Sequence, residues 1–525
     1  MKVLITEAIS PSGLSRLQQE LEVEVREKLS PEELLACVAD YDGIVVRSGT
    51  QLNRSVLEKA ARLKVVGRAG TGVDNIDLET ATRQGILVVN APESNTLSAA
   101  EHTIALMMSL LRHIPRADQL LREGHWDRKG LRGQEAYGKC LGIIGLGRIG
   151  SLVAQRAQGL GMSVIAYDPY IAAERFGRFG AEQIDDLDEL CRRADIVTVH
   201  TPKTEETYGM IGRQELGLMQ PGVMIINCAR GGIVDEQALY EALKDGRVAG
   251  AGLDVFDQEP SQDNRLCRLD SVICTPHLGG STREALDRVG RDIAEEVIRA
   301  LRGDLVQYPL NFPAADPQLQ AFIEPFLALA ERMGQFFTQL FKPQIGRLEL
   351  EYGGEIARYN TDLVRAAVLQ GLLSPILEGQ VNRVNAESLA SGRGIRVKEG
   401  KVEEIADYVN SLSLKTNDHC IRGTVFGRSD GRIIGVDDVK LDILPHGPIL
   451  ISWHEAAHTR QPGVIGQIGT LLGQARVNIH RIEVGNSEQG QRAMLVLNLD
   501  DTPPEDIIKA IEKQSGVIAA RLILL

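Results

Sequence analysis

Short β-branched runs recur through residues 2–90: KVLIT, GIVVR, LKVVGR and ILVVN. Segments with helical spacing of apolar positions, such as SRLQQELE and RSVLEKAAR, lie between them. Runs that are apolar throughout fit strands covered on both faces, and the helical segments are the crossovers that parallel strands need, so this stretch predicts a parallel α/β unit. A second series starts at CLGIIGLGRIG (140–150) and continues through SVIAYDP, DIVTVHTP, GVMIINCARGG, AGAGLDVF and SVICTPH. Each run ends in a loop carrying polar or glycine residues, on the side where open α/β sheets place ligands.

The patterning changes further along. A helical segment, REALDRVGRDIAEEVIRALRG (283–303), is followed by DLVQYPLNFPAADPQ (304–318), whose three prolines read as a domain boundary. Residues 318–448 mix a helix-rich first half with strand-like runs, GRLELEY, IRGTVFG and RIIGV, and carry no motif tied to chemistry. From residue 449 the order is strand, helix, strand, strand, helix, strand, the split βαββαβ motif of ferredoxin-like units. The apolar stretch IALMMSLL (104–111) lies in a helical pattern over 98–113 and is too short to span a bilayer. It predicts a buried helix at a domain or subunit contact.

At 525 residues the chain is too long for one core, and about three or four domains are expected. A net charge of −13 repels nucleic-acid phosphates and anionic membranes over most of the surface, so a bound anion needs a local positive pocket. With aromatics at 4%, stacking platforms for single strands are not expected either. Seven cysteines lie far apart with no C-x-x-C pair, which points to reduced thiols rather than a disulfide framework or a zinc site. The start, MKVLITEAISPSG, is unlike a signal or transit peptide, and a cytoplasmic location is expected.

Gly145, Gly147 and Gly150 form G-x-G-x-x-G directly after the apolar run LGII and before the helical stretch SLVAQRAQ. That context gives the triplet a mechanism: the backbone turns tightly and meets a pyrophosphate at a helix amino end. Asp168 closes the next strand, eighteen residues beyond the last glycine, where a carboxylate can hold both ribose hydroxyls and repel a 2′-phosphate. The cofactor expected is NAD rather than NADP.

Three strand-end loops converge on the same side: Arg230 in NCARGGIVDE, Glu259 in DVFDQEP and His277 in TPHLGGST. A lone histidine beside a strand end is ordinarily structural; together the three suit oxidation of a secondary alcohol. Histidine titrates in the range needed to take the hydroxyl proton, a carboxylate on its other nitrogen fixes the tautomer, and an arginine can grip a substrate carboxylate bidentately.

These motifs, in this order, resemble the D-isomer-specific 2-hydroxyacid dehydrogenases. VVGRAGTGVDNID upstream and SAAEHT at 98–103 are similar to the long-form branch acting on 3-phospho-D-glycerate, which carries an intervening domain and an ACT regulatory domain. The resemblance implies catalytic roles for Arg230, Glu259 and His277. It implies NAD contacts from Thr71, Gly145, Gly147, Arg148, Ile149, Gly150, Asp168, Thr201, Cys228, Ala229, Arg230, Asp254, His277, Gly279 and Gly280. It also implies four units: a discontinuous flavodoxin-like substrate domain (1–97 and 285–307), a Rossmann-like doubly wound NAD domain (98–284), an α+β intervening domain (308–448) and the ACT domain (449–525). Gly280 and Ser94 depart from the family's frequent alanine and glycine, with only altered loop packing expected.

For the substrate, Arg47 and Arg68 sit where two parallel strands end and form a credible phosphate site, and Asn95 could add a donor to the carboxylate, beside Arg230 and His277. The activity implied is NAD-dependent oxidation of 3-phospho-D-glycerate, with 2-hydroxyglutarate as a side substrate. A glyoxylate or hydroxypyruvate reductase and a non-enzymatic NAD-sensing corepressor-like protein are the alternatives. The resemblance further implies a homodimer or homotetramer and a small amino-acid effector, with L-serine the end product, held in the ACT domain by His458, Gly463 and Asn478. There Arg460 replaces a common asparagine or aspartate, and weak serine inhibition is expected.

Overall fold

The computed structural model describes residues 1–314, 319–405, 407–455, 463–487 and 492–525. The first sheet contains β1 (Lys2–Ile5), β2 (Glu22–Val25), β3 (Gly43–Val46), β4 (Val65–Arg68) and β5 (Leu87–Asn90), all parallel, in the order β2-β1-β3-β4-β5. The helical pattern SRLQQELE overruns its element: the helix Pro11–Gln18 stops and β2, an acidic alternating edge strand EVEV, follows. The helix Arg283–Arg302 returns to cover this sheet, setting Ile293 and Val297 among Val3, Ile5, Val45, Val65 and Val89. Its Gly290 crosses Gly13 so closely that a Cβ on either would collide with the other segment. Residues beyond the helix also stay with this unit, since Asn90 N–H donates to Tyr308 O at 3.2 Å and Leu310 N–H to Val88 O at 2.8 Å.

The second sheet is also wholly parallel: β6 (Cys140–Ile144), β7 (Ser163–Tyr167), β8 (Glu182–Gln183), β9 (Ile196–Val199), β10 (Val223–Asn227), β11 (Val248–Leu253) and β12 (Val272–Cys274). Its order, β12-β11-β10-β9-β6-β7-β8, reverses direction between β6 and β9. That switch point opens a crevice at the carboxyl ends of the strands. The helix Thr96–Leu111 packs Leu106, Met107, Leu110 and Leu111 against this unit, as the 98–113 pattern predicts, whereas the next helix, Ile114–Arg122, buries none of its residues.

A six-stranded mixed sheet follows, with β13 (Arg347–Gly354), β14 (Arg396–Val402), β15 (Asn410–Lys415), β16 (Cys420–Phe426), β17 (Asp430–Val436) and β18 (Val439–Ile443) in the order β14-β13-β15-β16-β17-β18. The helices Gln320–Phe341 and Asp362–Leu373 close over it around Phe326, Met333, Phe336 and Phe337. Three of these strands escape the sequence reading. β14 is a polar edge, RVKEGKV, with no apolar face, and β15 and β18 each offer only two or three apolar positions. Last come β19 (Pro448–Glu455), β20 (Ile479–Asn486), β21 (Arg492–Leu499) and β22 (Val517–Leu524), antiparallel in the order β20-β21-β19-β22, with the helices Val464–Gln474 and Glu505–Glu512 between strands, the ferredoxin-like arrangement. Among the described residues no helix is long and apolar enough to cross a membrane.

Candidate active site

The glycine turn sits at the switch point, between β6 and the helix Arg148–Gly159. Gly145 has φ 91°, and a Cβ on it would collide with the carbonyl of His200, so a side chain there is excluded on both counts. A Cβ on Gly150 would collide with the carbonyl oxygen of Gly145, which is how the helix approaches the turn so closely. Gly147, by contrast, faces open space and caps the helix with no side-chain hydrogen bond, leaving its first N–H groups free for an anion. Asp168 accepts from Leu146 N–H at 2.9 Å and from Tyr170 N–H at 3.1 Å, which holds its carboxylate beside the turn. Across the crevice the Thr201 hydroxyl is buried with no partner among the described residues. A cradle of free N–H groups, a carboxylate at the next strand end and an orphaned hydroxyl fit a dinucleotide.

Arg148 reaches the preceding unit through Glu93 at 3.2 Å, and Ile149 follows it on the first turn of the helix. Cys228 and Ala229 are buried at the end of β10, with burial pushing the Cys228 thiol up to about 12. Thr71 donates its hydroxyl to Asn95 at 3.0 Å. These positions lie on both α/β units, Thr71, Glu93 and Asn95 on the first and Arg148, Ile149, Cys228 and Ala229 on the second.

Asp254, at the end of β11, is fully buried and organises the histidine loop. Its carboxylate accepts from Thr275 Oγ1 at 2.6 Å, Leu278 N–H at 2.7 Å and Gly279 N–H at 2.8 Å, and its backbone carbonyl accepts from His277 N–H at 2.9 Å. Burial opposes this charge, but His102 at 3.3 Å and the hydrogen bonds outweigh it, and the carboxyl lies below its usual range. His277 is thereby held at φ 54°, a left-handed conformation that costs a non-glycine residue on the order of 1–3 kcal/mol.

The strained histidine points its Nδ1 at Glu259 Oε2, 2.6 Å away. Glu259 is set by Phe256 N–H, which donates to its Oε1 at 3.1 Å. The bond to Glu259 raises the imidazole above its ordinary 6.5 in spite of burial. Burial pushes Glu259 the other way, yet its bonds to His277 and Phe256 leave the carboxyl below the usual range. A Cβ on Gly231 would collide with the Phe256 carbonyl, so the ARGG loop passes this segment only because that residue is glycine.

Arg230 faces His277 closely enough to depress the imidazole slightly, against the larger effect of Glu259. Its guanidinium donates to Ala229 O at 2.7 Å and lies 3.9 Å from Asp74. Arg68 is pushed down to about 10, by burial first and then by the charges of Arg230 and Arg47, and its Nε has no partner. Three arginines therefore share one crevice. Asn95 is near the same place, since a Cβ on Gly280 would press on its side chain and one on Gly279 would meet Asp254.

Several supports were not singled out in the sequence. His102 and Thr275 bond each other at 3.0 Å behind Asp254, and Glu7 accepts from the N–H groups of Arg47, Gly49 and Thr50 at 2.9, 3.1 and 2.9 Å. Gly70 and Gly72 make room for the guanidinium groups of Arg68 and Arg230. Only the glycines left a signal, in RAGTG; the others act across long sequence separations. Ser94 does more than alter loop packing: it is buried and donates to Asp292 at 2.5 Å, tying the loop to the long helix. In the last unit Asn478 donates to Asp500 at 2.7 Å, and Gly463 begins the helix that follows; His458 and Arg460 lie outside the described residues.

Comparison with known proteins agrees with this geometry. Residues 104–279 match the NAD-binding domain of D-isomer specific 2-hydroxyacid dehydrogenases, residues 322–437 the D-3-phosphoglycerate dehydrogenase intervening domain, and residues 457–516 the ACT domain. The chain is 44% identical to D-3-phosphoglycerate dehydrogenase of Methanocaldococcus jannaschii over 98% of each chain, and 43% identical to that of Archaeoglobus fulgidus over 99% of each. A crystal structure of D-lactate dehydrogenase from Aquifex aeolicus, complexed with NAD and lactic acid, is 31% identical with a TM-score of 0.52, covering 57% of this chain and 96% of that one. NAD is the cofactor, and the chain belongs to the D-3-phosphoglycerate dehydrogenase branch of the D-isomer-specific 2-hydroxyacid dehydrogenase family.

Proposed function

We propose that the protein catalyses the reversible, NAD-dependent oxidation of 3-phospho-D-glycerate to 3-phosphonooxypyruvate, the first step of the phosphorylated route to L-serine. The observation that carries this reading is the His277–Glu259 pair, at 2.6 Å, opposite the three arginines Arg47, Arg68 and Arg230. Mutually repelling cations in one crevice of a chain with net charge −13 are stabilised by a polyanionic substrate. Bound NAD would accept the hydride leaving C2 of the substrate. His277 takes the hydroxyl proton on Nε2, because its Nδ1–H is engaged by Glu259, which then stabilises the imidazolium. Arg230 holds the carboxylate and, in the reverse direction, polarises the carbonyl. Arg47 and Arg68 add positive charge for the rest of this polyanion, and Asn95 a donor. Asp168 and Thr201 hold the cofactor's adenosine side and the crevice wall.

A glyoxylate or hydroxypyruvate reductase would use the same acid–base pair but has no need for this excess of cations. An NAD sensor needs neither. The same cations leave 2-hydroxyglutarate acceptable as a side substrate. NADH formation measured with 3-phospho-D-glycerate, D-lactate and 2-hydroxyglutarate, and NADH consumption with glyoxylate and hydroxypyruvate, separates the readings. The proposal requires phosphoglycerate to give the highest kcat/KM, and it fails if glyoxylate does.

The protein also acts as a homodimer or homotetramer. The helix Ile114–Arg122 and the turn beyond it leave Ile114, Leu121 and Trp126 at 52, 58 and 80% exposure, an apolar face suited to a second copy. A small amino-acid effector at the ACT domain is supported by exposed Asn478, held in place by Asp500 at the edge of β20. A rise in melting temperature on adding L-serine tests that site. Seven free cysteines favour a reducing, cytoplasmic compartment.

A further inference from the structure

Beside the catalytic crevice, a cavity of about 390 Å³ opens at the carboxyl end of the first sheet, lined by Ser10, Arg47, Ala69, Arg283, Leu286 and Asp287 among others. It lies between the loops that follow β1, β3 and β4 and the first two turns of the helix Arg283–Arg302. Two of its walls are arginines, and one is a carboxylate.

The carboxylate is already engaged. Asp287 pairs with Arg291 at 3.1 Å and accepts from the Ser12 hydroxyl. Glu7, behind Arg47, directs its oxygens to three backbone N–H groups. Neither acid is paired with the arginines of the cavity. The Arg283 side chain has no ion pair or hydrogen bond among the described residues, and neither does the guanidinium of Arg47. Other arginines around this unit find partners: Arg16 bonds Glu295 at 2.6 Å and Glu20 at 2.7 Å. Arg68, with its guanidinium on the 70–72 turn beside Arg230, does not line the cavity.

We propose that Arg283 is a specificity residue which, together with Arg47, receives the phosphate of the substrate in this cavity, leaving Arg68 and Arg230 to face the carboxylate end. The assignment rests on the phosphoglycerate reading above and adds to it which cations distinguish the phosphorylated substrate from its unphosphorylated analogue. Arg283 follows the histidine loop closely in the chain, and the start of its helix is tied to the 94–98 segment: Thr282, immediately before it, bonds Ser98 at 2.9 Å, and Arg288 donates to Ser94 O at 3.1 Å. A phosphate presents oxygens to both guanidinium groups at once, whereas the hydroxyl of D-glycerate does not.

The test compares kcat/KM for 3-phospho-D-glycerate and for D-glycerate in the parent enzyme, Arg283→Ala and Arg283→Lys, with NAD affinity and melting temperature as controls. Arg283→Ala is expected to lower kcat/KM for phosphoglycerate by about tenfold or more through KM, as loss of a charge-assisted bond does, with less than about a twofold effect on D-glycerate. Arg283→Lys retains most of the preference, because a point charge still meets the phosphate. Equal losses on both substrates, or an unchanged constant for phosphoglycerate in Arg283→Ala, overturn the assignment. A parent enzyme with no preference for the phosphorylated substrate overturns the underlying reading, and that outcome is visible before any variant is made.

Discussion

At the scale of single residues, His277 shows how the site is arranged. Its left-handed backbone persists because Asp254 holds the N–H groups of residues 277–279 with its carbonyl and carboxylate. Glu259 raises the imidazole's pKa, so the neutral base that oxidation needs is present only above that raised value, and the rate falls as pH drops through it. Glu259→Gln removes the charge that raises it. We expect the acidic limb of the kcat/KM profile to move to lower pH and kcat to fall by about tenfold or more, since the amide no longer stabilises the imidazolium. An acidic limb that stays in place would show that Glu259 does not set this pKa. Arg230, Glu259 and His277 were legible because each lies in a loop that follows a strand-like run, on the side where open α/β sheets place ligands. His102, Thr275 and Glu7 were not: their partners lie 152, 21 and 40 positions away, and only the folded sheet brings them together.

At the scale of elements, the glycine turn and its helix act as one part. A Cβ on Gly150 meets the Gly145 carbonyl, a backbone atom that cannot swing aside as a side chain would. Gly150→Ala therefore pushes the helix Arg148–Gly159 off the turn, displacing the N–H groups that meet the pyrophosphate. Its expected effects are an NAD Kd raised by about tenfold or more and a lower melting temperature. NAD titration by fluorescence checks this, and wild-type affinity would contradict the close approach. Strands rich in β-branched residues and buried along their whole length, such as β3 and β10, announced themselves because both faces are covered. The edge strands β2, β8 and β14 did not, since an edge needs little apolar surface and their acidic or basic residues read as helix or loop. The Tyr308–Leu310 pairing with β5 was hidden by Pro309, which signals a break.

For the whole molecule, two features depend on how units come together. Charge is one: the chain is strongly acidic, yet Arg47 and Arg68 from the first α/β unit and Arg230 from the second converge on one crevice, which anionic substrate and cofactor must enter. The other is the apolar arm. Leu121→Glu combined with Trp126→Glu places charges on the exposed face and should convert the proposed homo-oligomer to monomers in sedimentation; an unchanged oligomer would put the contact elsewhere. The most direct test of the account is turnover of 3-phospho-D-glycerate with NAD by the parent protein and by His277→Ala, followed as NADH. The account predicts NADH formation by the parent, a kcat at least about a hundredfold lower in the variant, and NAD affinity nearly unchanged. Near-normal turnover without the imidazole, or no turnover of phosphoglycerate by the parent, would contradict it.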